Sequence, residues 1–199
     1  MWLGKPPPGD GERVQDSSAG LSRRKLLGSA ALAAAAMLLP VGSQAALRTN
    51  ATSTRKLVLH NLHTDEELEV TYWAWGVYRP DALAQIDWIL RDHRTDEVTA
   101  IDRSLLDLLS RLRSQLGGER RFEVISGYRS PKTNAMLAST SDAVARNSLH
   151  MVGKAIDIHV PGVRLGALRD RAKALRAGGV GYYPQSGFIH VDVGRVRYW

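Results

Sequence analysis

The sequence predicts an α+β domain, an antiparallel sheet with helices packed on it. Three observations predict it. Short runs rich in β-branched and aromatic residues recur between residues 56 and 193. Between them lie stretches whose apolar residues repeat at helical spacing. No internal repeat or low-complexity domain interrupts the alternation.

Taken in order, Lys56-Leu57-Val58-Leu59-His60 and residues 67–73 read as strands, joined as a hairpin by the polar stretch 61–66. Pro80 opens a helix to about Asp92, with Leu83, Ile86 and Leu90 near one face. Asp102 is a suitable N-cap for a second helix. Leu105, Leu108, Leu109, Leu112 and Leu116 form its apolar stripe, and Gly117-Gly118 stops it. Residues 122–126 form a short strand, Gly127 to Pro131 a turn, residues 132–138 a short helix, and the polar segment 139–149 a loop. Residues 154–160 alternate as a strand, and 165–177 form a basic amphipathic helix ended by Gly178-Gly179. Residues 180–183 and 188–193 supply the closing strands. Trp73, Trp75 and Trp88 read as packing residues, and Trp199 as docking back on the sheet.

The folded domain is expected at 56–199, because the first part of the chain has another character. Arg23-Arg24 precede an alanine-rich apolar run that extends to Leu39, and Ser43-Gln44-Ala45 offers a small-residue cleavage site. That order describes an export signal over residues 1–45, and the paired arginines suggest the twin-arginine route. The run falls short of the about 20 apolar residues that span a bilayer, so no stable membrane anchor is expected after cleavage. Residues 46–55, polar and rich in Thr and Ser, read as a linker.

Cleavage would leave 154 residues, enough for one domain with a proper core. The first 45 residues carry five Lys/Arg and three Asp/Glu, so the net charge falls from +7 to +5. The basic residues are scattered through amphipathic helices with no nucleic-acid motif, which argues against a nucleic-acid partner. The chain has no cysteine, which excludes a thiol nucleophile and any thiolate metal site.

Chemistry concentrates in two segments, Ser148 to Asp157 and Gly187 to Asp192. Strand side chains alternate between faces. Asp157 therefore shares a face with Ala155 and His159, opposite Ile156 and Ile158. His190 shares a face with Phe188 and Asp192, opposite Ile189 and Val191. His150 precedes the first strand, and a turn at Gly153 can fold it back towards Asp157. Two imidazoles and a carboxylate match a catalytic zinc site, which uses three protein ligands and leaves a fourth position open. His150, Asp157 and His190 are the expected ligands of a Zn2+ ion, and the chemistry points to a hydrolase. Arg129 is the expected cation beside them, to stabilise an oxyanion or to grip a substrate carboxylate.

These residues resemble the zinc D-alanyl-D-alanine peptidase family, which shares its metal-binding core with lysostaphin-type peptidases and the hedgehog signalling domain. The resemblance rests on Ser126-Gly127-Tyr128-Arg129-Ser130, on Ser148-x-His150-x-x-Gly153-x-Ala155-x-Asp157, and on Gly187-Phe188-Ile189-His190-Val191-Asp192. The closing Gly179 to Pro184 and Val193 to Trp199 segments are similar to the family's murein endopeptidase, MepK-like branch. The resemblance implies a hedgehog/D-Ala-D-Ala peptidase-like fold and a periplasmic zinc peptidase that cuts the stem peptides of cross-linked peptidoglycan. It places zinc on His150, Asp157 and His190, and transition-state or substrate stabilisation on Arg129.

One departure bears on mechanism. Wider-family relatives carry a His two residues before the last ligand, or a Glu shortly before it. Here those places hold Phe188 and residues such as Pro184, Gln185 and Ser186, and no Glu follows Glu123. Asp192, on the strand face of His190, is the leading candidate for the general base, with orientation of a ligand histidine as its alternative task. His159 is a weaker candidate. Two alternative functions stay open: a non-catalytic, zinc-containing peptidoglycan-binding domain, and a D,D-carboxypeptidase that trims terminal D-alanine.

Overall fold

A computed structural model describes residues 54–118, 120–141 and 144–199; the expected export signal lies outside them. Among the described residues eight strands form one sheet in the order β3-β2-β1-β4-β5-β7-β6-β8. Strand β1 (Thr54–Asn61) pairs antiparallel with β2 (Glu67–Ala74), and β2 with the two-residue β3 (Val77–Tyr78). Strand β4 (Phe122–Ser126) lies parallel to β1 and antiparallel to β5 (Ala155–His159). Strand β7 (Phe188–Asp192) sits antiparallel between β5 and β6 (Gly179–Tyr183), and β8 (Arg197–Tyr198) runs parallel to β6.

The sheet is mostly antiparallel, as expected, and is corrected to a mixed one by the parallel pairs β1–β4 and β6–β8. Helices α1 (Pro80–Ile89) and α2 (Arg103–Gln115) lie between the first hairpin and β4. Such a long crossover is what lets two strands run parallel, since a tight turn cannot. Strands β3 and β8 escaped the sequence reading because two residues are too few to show alternation.

Local chemistry sets the helix ends. Pro80 begins α1, where a missing N–H costs nothing, and the helix closes at Ile89, before the expected Asp92. The Asp102 carboxylate accepts from the Ser104 N–H at the start of α2. Helix α3 (Pro131–Thr140) is capped by Ser130, whose hydroxyl accepts from the Thr133 N–H. Helix α4 (Leu165–Ala174) stops short of the expected residue 177, and Arg176 adopts a φ of 48° just beyond it.

Helix α2 buries Leu105, Leu106, Leu108, Leu109 and Leu112. They join Leu57, Leu59, Phe122, Val124, Ile156, Ile158, Ile189 and Val191 in one core. The isoleucine and valine face of β5 and β7 thus enters the core, as the alternation predicts, and the polar face turns away. Trp75 and Trp88 depart from expectation: both are exposed. Trp199 does dock on the sheet, exchanging backbone hydrogen bonds with Val180 and Tyr182.

Candidate metal centre

Register builds the site. Asp157 on β5 stands directly opposite His190 on β7, and His190 opposite Gly181 on β6. On the other flank Ser126 of β4 aligns with Asp157, after a bulge that leaves Ile125 unpaired. Simple alternation would put Ser126 on the core face with Val124; the bulge re-aims it towards the polar face, a device common beside active sites. One cross-strand row therefore reads Ser126, Asp157, His190, Gly181.

His150 arrives from outside the sheet. It sits in a 3-10 turn, Leu149–Val152, whose start is capped by the Ser148 hydroxyl. Gly153 ends the turn with φ 64°, a left-handed conformation that L side chains resist. A Cβ there would also lie 2.5 Å from the Ala100 carbonyl oxygen. The chain then enters β5, so turn and strand bring His150 and Asp157 to one point.

The three expected ligands converge there, all buried. His190 Nδ1 lies 2.9 Å from Asp157 Oδ1, His150 Nε2 lies 3.2 Å from His190 Nδ1, and His150 Nε2 lies 3.4 Å from Asp157 Oδ1. The outer nitrogens are spoken for. His150 Nδ1 lies 2.7 Å from the Gly127 carbonyl oxygen, which can only accept, so this nitrogen carries the proton. His190 Nε2 donates to Asp192 Oδ2 at 3.0 Å. With neutral rings, Nε2 of His150 and Nδ1 of His190 turn lone pairs towards each other and towards a carboxylate. Three acceptors at such range repel unless a cation sits among them.

The donor set fits zinc. Donor atoms of a tetrahedral zinc with bonds near 2.0–2.1 Å stand about 3.3 Å apart, and the three distances here straddle that value. The charge balance agrees. Burial opposes ionisation of Asp157, yet His150 and His190 outweigh it and hold the carboxyl well below its usual range. Burial likewise opposes charging of His190, but Asp157 and Asp192 raise its pKa above the ordinary value. The pocket favours positive charge.

Arg129 stands beside the cluster. Its backbone N–H donates to the His150 carbonyl, which ties the two chain segments together. Its guanidinium is 3.7 Å from Asp157 Oδ2 and 3.4 Å from both Asn134 Oδ1 and Ser126 Oγ, while Nε is buried without a partner. A cation held this loosely retains donors for a ligand. Burial lowers its pKa, with Asp157 opposing, but a guanidinium stays protonated in proteins.

Asp192 lies on the expected face yet is fully buried. It accepts from His190 Nε2, from the backbone N–H groups of Gly179 and Gly194, and from the Arg197 guanidinium. His159 points elsewhere and pairs with Glu123 at 3.0 Å. Sequence reasoning missed Arg197 and Trp199 as parts of this centre. The signal for Arg197 was available, since a carboxylate in a buried strand requires a strong partner. Trp199 packs over His190 at 5.3 Å between ring centroids. His150, Asp157, His190, Arg129, Arg197 and Trp199 line a cleft of about 290 Å³, together with Asn147, Tyr183 and Phe188.

Residues 49–199 match the family model described as "Peptidoglycan L,D-endopeptidase MepK". The chain is 41% identical over 178 residues to the peptidoglycan L,D-endopeptidase MepK of Escherichia coli (strain K12), covering 89% of this chain and 97% of that one. The Shigella flexneri protein of the same name gives the same figures. A probable peptidoglycan L,D-endopeptidase MepK from Haemophilus influenzae is 40% identical over 179 residues, covering 89% and 95%. No solved structure gives a significant match. Since the family model spans the sheet, the turn that carries His150 and every residue of the cleft, the chain belongs to the peptidoglycan L,D-endopeptidase MepK family.

Proposed function

We propose that this chain is a zinc-dependent murein endopeptidase, hydrolysing cross-link peptides of bacterial peptidoglycan on a fold of the hedgehog/D-Ala-D-Ala peptidase type. One observation carries the reading: in a chain of this family, three lone-pair donors meet 2.9–3.4 Å apart in a cleft. His150, Asp157 and His190 would hold the ion. Bound there, zinc supplies Lewis acidity, bringing the pKa of water to about 7 and polarising a carbonyl.

The protein's own groups do the rest. The Gly127 carbonyl and the Asp192 carboxylate keep both imidazoles in the tautomer that offers a lone pair to the centre. Asp192 serves as an orienting group, because its oxygens are committed to His190, Arg197 and two backbone donors. Arg129 brings a fixed positive charge to the cleft wall, where it steadies charge on the scissile carbonyl oxygen or grips a substrate carboxylate. A peptidoglycan substrate favours a periplasmic location, and the Arg23-Arg24 signal would supply the twin-arginine route. Among the described residues no helix is long and apolar enough to cross a membrane.

The test is incubation of the purified protein with cross-linked muropeptides, with zinc and with a chelator. Zinc-dependent conversion of dimers to monomers supports the proposal, and dimers left intact overturn it. A zinc-holding, non-catalytic peptidoglycan-binding domain is the second reading. It is favoured by one fact: among the described cleft residues, Asp157 carries the sole side-chain carboxylate. Binding without conversion would select it, and loss of a single alanine by mass would select a D,D-carboxypeptidase.

A further inference from the structure

The cleft holds a phenolic hydroxyl whose ring and oxygen are held by two neighbours. Tyr183 is the last residue of β6, opposite Phe188 and one row along from the Gly181–His190–Asp157 row, on the same face. Its ring stacks on Phe188 with centroids 4.8 Å apart and planes 23° from parallel. The Trp199 indole N–H donates to the Tyr183 oxygen at 2.8 Å.

That last bond decides the polarity. An indole N–H can only donate, whereas a phenol can both donate and accept. Trp199 therefore occupies an acceptor site of the Tyr183 oxygen, and the hydroxyl proton is left to point elsewhere. Among the described residues nothing takes it. Tyr183 lines the cleft with Arg129 and the three converging residues.

Gly181 makes the arrangement possible. A Cβ there would come within 2.7 Å of the Trp199 ring and 2.8 Å of the Tyr183 ring. The side-chain position that Gly181 leaves empty beside His190 is where the indole lies, with its ring tilted against His190 and its N–H on Tyr183.

We propose that Tyr183, held by Trp199 and Phe188, donates its hydroxyl hydrogen bond to the scissile carbonyl oxygen and stabilises the negative charge that develops on it. This rests on the endopeptidase reading above. A rigid donor aimed at developing charge needs no reorganisation during the reaction, the basis of oxyanion stabilisation. Together with Arg129 it would give the carbonyl two donors, one charged and one neutral.

The experiment compares wild type, Tyr183→Phe and Trp199→Phe with cross-linked muropeptides, recording kcat, KM, zinc content and the Ki of a phosphinate peptide that mimics the tetrahedral state. Tyr183→Phe keeps the ring stack and should lower kcat on the order of 100-fold, the loss typical of one oxyanion donor. KM and zinc content should stay within twofold, and Ki should weaken in parallel with kcat/KM. Trp199→Phe keeps a ring over His190 but removes the N–H, and should give a smaller loss in kcat at unchanged zinc content. If wild type cleaves and Tyr183→Phe cleaves as fast, with unchanged Ki, the Tyr183 proposal alone is overturned. If wild type does not cleave, the endopeptidase reading falls and takes this proposal with it.

Discussion

The Nε2–H of His190 donates to a carboxylate, Asp192, that is sealed from solvent on every side. Burial opposes ionisation of that group, but hydrogen bonds from His190, Gly194, Gly179 and Arg197 hold its pKa well below the usual carboxylate range. Partners of this kind fix the tautomer of a ligand histidine and raise its basicity. Asp192→Asn should therefore weaken zinc affinity by about 10- to 100-fold, and saturating zinc should restore turnover. Chelator competition and a zinc titration of activity would check both. Unchanged affinity with turnover lost at saturating zinc would restore Asp192 as a proton carrier.

Removal of a proposed ligand is a harsher change. His150→Ala or His190→Ala takes away one of three donors, and metal content by mass spectrometry should fall towards zero along with hydrolysis. His159→Ala, which breaks only the contact with Glu123, should leave turnover within twofold of wild type. A metal-free His150→Ala protein with full activity would refute the ligand set.

Gly153→Ala tests the turn that delivers His150. Its φ of 64° costs an L residue roughly 1–2 kcal/mol, and the new Cβ would press on the Ala100 carbonyl. We expect a lower urea midpoint together with weaker zinc binding, because His150 must shift with its turn. Loss of stability at unchanged zinc affinity would show that the 3-10 turn is not what places the imidazole.

Asp92 links stability to pH. Its carboxylate accepts from the backbone N–H groups of Ser130 and Arg94, next to the Arg129 turn. Burial opposes its ionisation, but hydrogen bonds from the Thr133 hydroxyl, the Arg94 and Ser130 N–H groups and the Ser130 hydroxyl bring the pKa from 3.8 down to about 2. The folded value lies below the unfolded one, so the stabilisation is present above about pH 4 and is lost as pH falls towards 2. Asp92→Asn should cost roughly 2 kcal/mol at pH 7, and the gap to wild type should narrow below pH 4. Urea unfolding of both proteins between pH 7 and 3 would measure it; a gap independent of pH would remove the charge from the explanation.

Much of this was legible in the residues because two periodicities overlap. In β5 and β7 the apolar positions that demand a core fix the face of Asp157 and His190 without any knowledge of neighbours. The leucine stripe and Asp102 cap did the same for α2. Other features depended on pairings that a single strand does not encode. The parallel β1–β4 contact is a property of the crossover, not of either strand. The Ile125 bulge reverses the face of Ser126, and alternation alone points the other way. Asp192 illustrates a subtler limit: its strand face was legible, but its role depends on Gly179, Gly194 and Arg197 closing over it.

The pairing of Asp157 with His190 has an evolutionary corollary. A one-residue insertion in β5 or β7 would push Ile156 or Ile189 outward and turn a carboxylate or an imidazole into the interior. Indels in these two strands would thus be lethal to folding and to chemistry at once. Lineages adapting to a different wall peptide are left with the rim to vary, namely the segments around residues 144–147 and 184–186, while the strands beneath stay fixed in length.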